Sequence, residues 1–215
     1  MALERFGDTA WRAGLPPGLD AGSRRRLLDA LRALPHVRDA VVSEMHALVV
    51  LEPGAPGERV RPAVAAAVAA SGLDPGPPGS EPREHVVRVR YDGADLLAIA
   101  HASGLTREEV VAAHCGRTYE VALVGFLPGF AYLRALAPQL VLPRRATPRP
   151  RVPALSVAIA GPYTGVYPFA SPGGWHLLGV AVGFAPFDPR RGATMALGDR
   201  VRFVPDPARE PDGAP

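Results

Sequence analysis

Hydrophobic and polar residues follow regular spacings along the first 91 residues. The patterns predict helices at residues 24–34 and 61–70 and strands at residues 8–15, 37–42, 47–51 and 85–91. Leu27, Leu31 and Leu34 mark one face of the first helix, and Ser23 is its predicted N-cap. The resulting order, β-α-β-β-α-β, is that of a ferredoxin-like domain, which we place at residues 1–91.

Beyond residue 91 the pattern changes to two short helices followed by short strands. Helices are predicted at residues 94–102 and 106–115, and Thr106 and Glu109 form a capping signature at the start of the second. Strand-like runs separated by turns follow at residues 119–124, 156–160, 177–182 and 200–204. This spacing predicts a closed or nearly closed β-barrel at residues 92–204, and therefore an α+β fold for the whole chain.

Two segments lack such patterns. Residues 74–82 are rich in glycine and proline and form the best internal boundary. Residues 205–215 are rich in proline and charged residues, so we predict a disordered tail there.

Glycine and proline interrupt the stretch from residue 120 to residue 175 every few residues, so no long helix fits there. Four pieces of it, residues 125–133, 143–153, 161–168 and 171–175, carry aromatic residues and arginines on their turns. Binding residues are often displayed on such turns. This stretch is the candidate site.

Composition restricts the classes of protein. The 215 residues are 47% hydrophobic and 21% charged, as in one or two ordinary globular domains. No apolar run approaches the roughly 18 residues of a membrane helix, and the first residues lack a signal-peptide pattern, so we expect a cytoplasmic protein with no membrane partner. Cys115 is the only cysteine and cannot form an internal disulfide. The basic run at residues 24–26 is interpreted as a solvated helix start, so no nucleic-acid partner is expected.

Two absences limit the chemistry. All 24 basic side chains are arginine, so the chain has no lysine for a P-loop, a Schiff base or a nucleophile. From Val121 to Phe187 there is no Asp or Glu, whereas five arginines fall inside: Arg134, Arg144, Arg145, Arg149 and Arg151. This segment can attract anions, but by itself it cannot form a carboxylate metal site or a carboxylate acid/base pair.

The arginines of residues 143–153 have two interpretations. As solvated surface, each exposed ion pair contributes about 0–1 kcal/mol. As an anion cradle, each charge-assisted hydrogen bond contributes ~1.5–3 kcal/mol. The prolines between them favour the cradle, because they stiffen the backbone and reduce the entropy lost on binding.

Other candidates keep two interpretations each. Pro172-Gly173-Gly174 either aims backbone N–H groups at an oxyanion or is a simple tight turn. His114, in the last turn of a helix, either transfers protons or is favoured there by the helix dipole. The histidines lack ligand spacing, so no metal site is expected. Cys115 follows a helix C-terminus, which raises a thiol pKa, so a nucleophilic role is not expected.

These segments resemble the family of the B subunit of bacterial ATP-dependent 5-oxoprolinase, also called the KipI-like or allophanate hydrolase first-subunit family. It is related to carboxyltransferase subdomains C and D of urea carboxylase. The resemblance runs from about residue 6 to residue 203. Its specific parts are residues 91–96, His114 with Tyr119, and residues 125–133, 143–153, 156–161, 164–168 and 171–175.

The resemblance implies a small N-terminal α/β domain followed by a cyclophilin-like barrel. It implies conversion of 5-oxoproline and ATP to glutamate, ADP and phosphate, together with a homologous C subunit and an A subunit. ATP, with a role for Mg²⁺ left open, would be shared with those partners rather than bound by this chain alone. The candidate catalytic residues are His114, Arg145 and Ser171. The candidate substrate- or phosphate-binding residues are Phe126, Gly129, Phe130, Tyr132, Arg144, Arg149, Arg151, Thr164, Tyr167, Gly173, Gly174 and Trp175.

The chain departs from the family pattern at four places. Tyr163 stands for a glutamine, Leu155 for a glycine, Val180-Ala181 for Arg-Thr, and Ala135-Leu-Ala137 for Gly-Leu-Asp. A second hypothesis therefore stays open: a KipI-like regulatory protein that binds and inhibits a sensor histidine kinase without catalysis. A protein contact tolerates lost polar groups better than a reacting centre does.

Overall fold

The computed structural model describes residues 3–71 and 82–207. They form two compact units, one within residues 1–81 and the other within residues 82–215. The chain therefore divides before residue 82, not after residue 91 as the sequence pattern predicts. The predicted boundary segment, apart from Pro82, and the predicted tail beyond residue 207 lie outside the described residues. Within the described ranges, no helix is long and apolar enough to cross a membrane.

The first unit is a four-stranded antiparallel sheet with two helices. Its elements are β1 (Leu3–Arg5), β2 (Ala10–Gly14), α1 (Ala21–Arg32), β3 (Val37–Val42), β4 (His46–Leu51) and α2 (Gly57–Ala70). The strand order is β1-β2-β4-β3. Helix α1 packs against β3 and buries Leu27 and Leu31, which lie on the predicted apolar face.

Asp20, not Ser23, caps α1. The Asp20 carboxylate accepts a hydrogen bond from the backbone N–H of Ser23 at 2.8 Å and another from its hydroxyl at 2.8 Å. An aspartate at this position satisfies a free N–H group and places a negative charge at the positive end of the helix dipole. The predicted cap at Ser23 is therefore wrong.

The second unit contains a closed barrel and two helices. In chain order its elements are β5 (Glu84–Arg90), α3 (Leu96–Ser103), α4 (Arg107–Cys115), β6 (Thr118–Val124), β7 (Ala131–Arg134), a 3₁₀ turn (Pro138–Leu140), β8 (Arg149–Val152), β9 (Ser156–Ala160), β10 (Tyr163–Val166), β11 (Ser171–Gly173), β12 (His176–Val182), β13 (Phe187–Asp188), β14 (Gly192–Ala193) and β15 (Arg200–Pro205). The barrel order is β10-β7-β6-β15-β5-β12-β9, closed by pairing of β9 with β10. All neighbours are antiparallel except β5 and β15. The predicted closed barrel is confirmed.

Strand β5 decides against the predicted ferredoxin-like domain. It pairs with β12 and β15, and its alternating residues Val87 and Val89 are buried in the barrel core. The first sheet instead gains β1, which the pattern misses because it has only three residues. The β-α-β-β-α-β arrangement is therefore not confirmed, since its last strand belongs to the second unit.

Helices α3 and α4 pack against the barrel at β12 and β15. Thr106 and Glu109 form the predicted capping box of α4: the Glu109 N–H donates to the Thr106 hydroxyl at 3.1 Å, and the Thr106 N–H donates to the Glu109 carboxylate at 2.8 Å.

Strand β9 has a core on each face, and this arrangement positions the candidate site. Val157 and Ile159 belong to the main barrel core, whereas Ala158 and Ala160 belong to a second, smaller cluster. That cluster includes Val152 of β8, which pairs with β11 in a separate two-stranded ribbon. Alternation along the strand thus places the ribbon and the aromatic residues on one side of the barrel wall.

Candidate functional site

A cavity of about 250 Å³ opens between the barrel wall and the β8–β11 ribbon. It is lined by Phe126, Phe130, Tyr132, Arg144, Pro148, Tyr167, Pro172, Gly173, Gly174 and Trp175. All four turn-rich pieces of the sequence contribute residues to this lining, so the structure brings together residues that are up to fifty positions apart. Most of the predicted binding residues lie here.

Phe130 is the centre of the aromatic wall. Its ring meets those of Phe126, Tyr132, Tyr167 and Trp175 edge-on, with centroid separations of 5.5, 4.9, 5.2 and 5.4 Å. Edge-to-face pairs at such distances are favourable and hold each other in place. Phe130, Tyr167 and Trp175 are buried, so the same rings serve as core and as cavity wall.

Phe126 differs from the other aromatic residues because it is 60% exposed and has a φ of 74°. This left-handed conformation costs roughly 1–2 kcal/mol for a residue with a Cβ atom. The loop is closed by hydrogen bonds from Gly125 N–H to Phe130 O at 3.0 Å and from Phe130 N–H to Leu127 O at 2.9 Å. Gly129 belongs to this loop: at its φ of 81° a Cβ atom would lie 2.5 Å from Pro186 O. The loop therefore holds an exposed ring at the mouth of the cavity.

Gly173 lets Tyr167 reach the ribbon. A Cβ atom on Gly173 would lie 2.5 Å from the Tyr167 hydroxyl oxygen, whereas one on Gly174 would meet nothing nearer than 3.7 Å. Gly174 instead uses its carbonyl, which accepts from the Arg145 N–H at 2.8 Å. The predicted oxyanion role of these glycines stays a prediction.

Tyr132 and Tyr167 keep neutral hydroxyl groups at the cavity. Burial raises the pKa of both phenols, that of Tyr167 to about 12, so both stay protonated at neutral pH. Within the described ranges neither hydroxyl has a hydrogen-bond partner in the protein. Both can therefore donate to a ligand.

Asp95 is the site residue that sequence reasoning missed. Its Oδ1 accepts from Arg145 Nη1 at 2.9 Å and from Arg149 Nη2 at 2.6 Å, and its Oδ2 accepts from the Leu177 N–H at 2.8 Å. Burial alone would raise the pKa of the carboxyl group, but the hydrogen bonds and the two guanidinium charges outweigh it and lower the pKa below 3.8. Residues 121–187 supply no carboxylate to this site, but Asp95, which lies outside them, does.

The four candidate arginines consequently divide into two pairs. Arg145 and Arg149 are bound to Asp95 and do not line the cavity, whereas Arg144 is exposed and lines it. Arg151 is exposed and lies away from the cavity lining. Among the residues that the structure describes, Arg144 and Arg151 have no ion-pair partner. Arg144 is thus the cation that the cavity offers to an anion.

Three further candidates lie outside the cavity lining. His114 and Thr164 are fully buried, with His114 Nε2 at 2.9 Å from Thr164 Oγ1 and His114 Nδ1 at 2.7 Å from the Tyr91 hydroxyl. Burial lowers the pKa of His114 to about 3, so it is neutral at physiological pH. Ser171 lies next to the lining residue Pro172, and its hydroxyl oxygen is shielded from solvent and has no hydrogen-bond partner among the described residues. The catalytic roles of His114 and Ser171 and the binding role of Thr164 stay predictions.

Cys115 faces a separate cavity of about 590 Å³ beside α4, together with Tyr91. The Tyr91 hydroxyl lies 3.1 Å from its Sγ atom, and burial raises the pKa of the thiol above 9.0. None of the predicted site residues lines this cavity. Across residues 3–71 and 82–207, no group of three or more His, Cys, Asp or Glu is placed to hold a metal ion.

The sequence model of the family described as carboxyltransferase domain, subdomain C and D, matches residues 1–197. The chain belongs to this family. Among curated proteins, this carboxyltransferase-family chain is 50% identical over 124 residues to the 5-oxoprolinase B subunit of Escherichia coli O157:H7, covering 55% of this chain and 56% of that protein. It is 43% identical over 114 residues to the 5-oxoprolinase B subunit of Bacillus subtilis (strain 168), covering 52% and 47%. The matches thus span about half the length of these relatives.

Solved structures extend the likeness to nearly the whole chain. The protein TTHA0988 is 37% identical with a TM-score of 0.76, covering 94% of this chain and 41% of its own. PH0987 from Pyrococcus horikoshii is 28% identical with a TM-score of 0.55, covering 95% and 97%. Urea amidolyase of K. lactis is 17% identical with a TM-score of 0.72, covering 95% and 15%, and shares the fold.

Proposed function

We propose that this chain is the B subunit of an ATP-dependent 5-oxoprolinase-type amidohydrolase and that its aromatic cavity holds the cyclic amide. The proposal is supported by membership in the carboxyltransferase C and D family and by relatives that are named as 5-oxoprolinase B subunits. The complex would convert 5-oxoproline and ATP to glutamate, ADP and phosphate. A homologous C subunit and an A subunit would supply the remaining groups.

The observation that carries the proposal is the Arg144 guanidinium, which has no ion-pair partner among the described residues and lines an aromatic-walled cavity of about 250 Å³. 5-Oxoproline is a small flat lactam ring with one carboxylate. Arg144 can bind that carboxylate, and the edges and faces of Phe130 and Trp175 can enclose the ring. The Tyr132 and Tyr167 hydroxyls can donate to the lactam oxygen and stabilise negative charge that develops there.

The residues of this cavity do not fit the phosphates of ATP. The chain has no lysine, and two of the three arginines near the cavity are already paired with Asp95. Phosphate sites normally combine several unpaired donors with a cation or a metal ion. We therefore assign to this chain the binding and orientation of the cyclic amide, and nucleotide binding to the partner subunits.

A regulatory role is the second candidate, and one observation favours it. Phe126 is 60% exposed, and Phe169 is 43% exposed. Exposed aromatic residues are enriched at protein interfaces, where they act as anchors. Under this hypothesis the same surface would bind a sensor histidine kinase and no turnover would occur.

The test is to co-express the chain with its genomic neighbours, purify the complex, and measure ATP-dependent glutamate formation from 5-oxoproline. Arg144→Ala should raise KM roughly 10- to 100-fold, the effect of losing one charge-assisted hydrogen bond. Arg202→Ala is the matched control, because Arg202 is exposed on β15 of the same barrel and lies away from the cavity. A chain that forms no complex and supports no turnover would contradict the enzyme proposal and leave the regulatory one.

A further inference from the structure

Asp95 binds two of the three arginines near the cavity. One carboxylate oxygen, Oδ1, receives both guanidinium groups, from Arg145 at 2.9 Å and from Arg149 at 2.6 Å. Neither arginine lines the cavity, although both belong to the segment 143–153 that also carries Arg144, with Arg149 at the start of β8. This segment therefore presents Arg144 to a ligand, whereas Arg145 and Arg149 bind Asp95.

The position of Asp95 is fixed by its backbone as well as its side chain. Its Oδ2 accepts from the Leu177 N–H at 2.8 Å, and its own N–H donates to Leu177 O at 3.3 Å. Two residues earlier, Gly93 approaches β12 so closely that a Cβ atom would collide with Leu177 O. Asp95 is 4% exposed, and its carboxylate cannot move aside without separating the start of α3 from β12.

One further guanidinium nitrogen of each arginine is also shielded from solvent. Arg145 Nε and Arg149 Nη1 are shielded from solvent and have no hydrogen-bond partner within residues 3–71 and 82–207. A phosphate group that drew both guanidinium groups away from Asp95 would leave a buried carboxylate without its counter-charges. An unpaired buried charge is strongly unfavourable, so the existing arrangement excludes that exchange.

We infer that Asp95 determines the charge preference of the cavity, so that the site accepts a singly charged carboxylate and discriminates against phosphate groups. This inference rests on the proposed role of the cavity as a ligand site and extends it to the class of anion. Asp95 is a positioning residue here, since it acts through Arg145 and Arg149 and does not touch the ligand. Specificity of this kind depends on keeping cations unavailable to phosphate as much as on contacts with the carboxylate.

The experiment measures binding of 5-oxoproline and of inorganic phosphate to the purified full chain by calorimetry at constant ionic strength. Asp95→Asn releases the two guanidinium groups, so the ratio of phosphate affinity to 5-oxoproline affinity should rise at least tenfold. Asp92→Asn is the control for net charge: it removes the same charge from an exposed aspartate that pairs with Arg90. Its affinity ratio should stay within twofold of the wild-type ratio.

A second arm does not depend on the folding of Asp95→Asn. In the wild-type background, Arg144→Gln should weaken anion binding at least tenfold, whereas Arg145→Gln and Arg149→Gln should change it less than threefold if they remain folded by circular dichroism. Phosphate binding to the wild type that disappears in Arg145→Gln or Arg149→Gln would overturn the inference. So would a folded Asp95→Asn variant with an unchanged affinity ratio.

The same data separate this inference from the proposed function. If the wild type does not bind 5-oxoproline but Asp95→Asn still gains phosphate affinity, the charge preference stands and the proposed substrate is wrong. If the wild type binds 5-oxoproline and Asp95→Asn gains nothing, the substrate stands and the role of Asp95 is wrong.

Discussion

Replacing Gly173 with alanine tests whether the aromatic wall and the ribbon are fitted to each other. The new Cβ atom would lie 2.5 Å from the Tyr167 hydroxyl oxygen, 3.1 Å from Tyr167 Cζ and 3.1 Å from Val152 Cγ2. Tyr167 is 1% exposed and packed edge-on against Phe130, so its ring cannot swing away freely. Either the β8–β11 ribbon or the Tyr167 ring must move. Both contribute to the cavity lining, so the shape of the cavity should change.

Overpacking of this kind costs about 1–3 kcal/mol. For a chain of this size each kcal/mol lowers Tm by roughly 2–4 °C, so Gly173→Ala should lower Tm by about 2–12 °C. Gly174→Ala is the matched control, because its Cβ atom would meet nothing nearer than 3.7 Å, and it should lower Tm by no more than ~2 °C. Thermal unfolding followed by circular dichroism gives both values, and calorimetry with 5-oxoproline reports whether the cavity survives.

Tyr167→Phe supplies the decisive comparison, because it deletes the atom that would collide. The double variant Gly173→Ala/Tyr167→Phe should recover most of the Tm lost in Gly173→Ala, giving a coupling free energy of ~1 kcal/mol or more. Equal losses in Gly173→Ala and Gly174→Ala, or strictly additive losses in the double variant, would refute the steric argument. The effect would then come from backbone freedom alone.

Three further predictions concern stability, each measured by urea unfolding. Asp95→Ala should lower the free energy of unfolding by about 3–5 kcal/mol because it leaves two partly buried cations unpaired, whereas Asp92→Ala should lower it by at most ~1 kcal/mol. The difference between the two variants should shrink as pH falls below 3.8, since the lowered pKa of Asp95 gives stability that is lost when the carboxylate is protonated. A difference that is unchanged at pH 2.5 would contradict this. The wild type should lose stability as pH falls from 6.5 toward 3, because His114 takes up a proton only when the protein unfolds. His114→Phe should make the stability less dependent on pH over this range. An equally steep decline in the variant would mean that other groups cause the pH dependence. Leu155→Gly should lower the free energy of unfolding less than Leu155→Val does, because φ is 63° at this residue and glycine adopts that conformation without strain. In extended structure glycine is usually the more destabilising of the two. If Leu155→Gly is the more destabilising here as well, backbone strain is unimportant at this residue.

At Leu155 the sequence reveals a departure from the family pattern but not the reason for that pattern. The family pattern has a glycine at this position, and the departure is visible from sequence alone. Only the structure gives the reason, which is the left-handed backbone. Its N–H donates to Tyr167 O at 2.7 Å and its carbonyl accepts from the Ala181 N–H at 2.8 Å, so the backbone conformation is kept although the side chain is unfavourable there.

The aromatic wall was predictable because its residues sit on turns whose glycines and prolines are visible in the sequence. The pairing of the arginines was not. Asp95 lies fifty positions before Arg145 in the chain, and no local spacing connects them. The same limit explains strand β5: its alternating pattern predicts a strand correctly, but alternation does not say which sheet a strand joins.

The position of β15 in the barrel has a consequence for synthesis of the protein. This strand lies between β5 and β6, which are the first two barrel strands in the chain, and it is the last to leave the ribosome. Until residues 200–205 emerge, β5 and β6 each keep an unpaired edge, and such edges recruit other chains. A nascent or truncated chain that stops before β15 is therefore an open sheet, and its need for chaperone protection should end when that strand inserts.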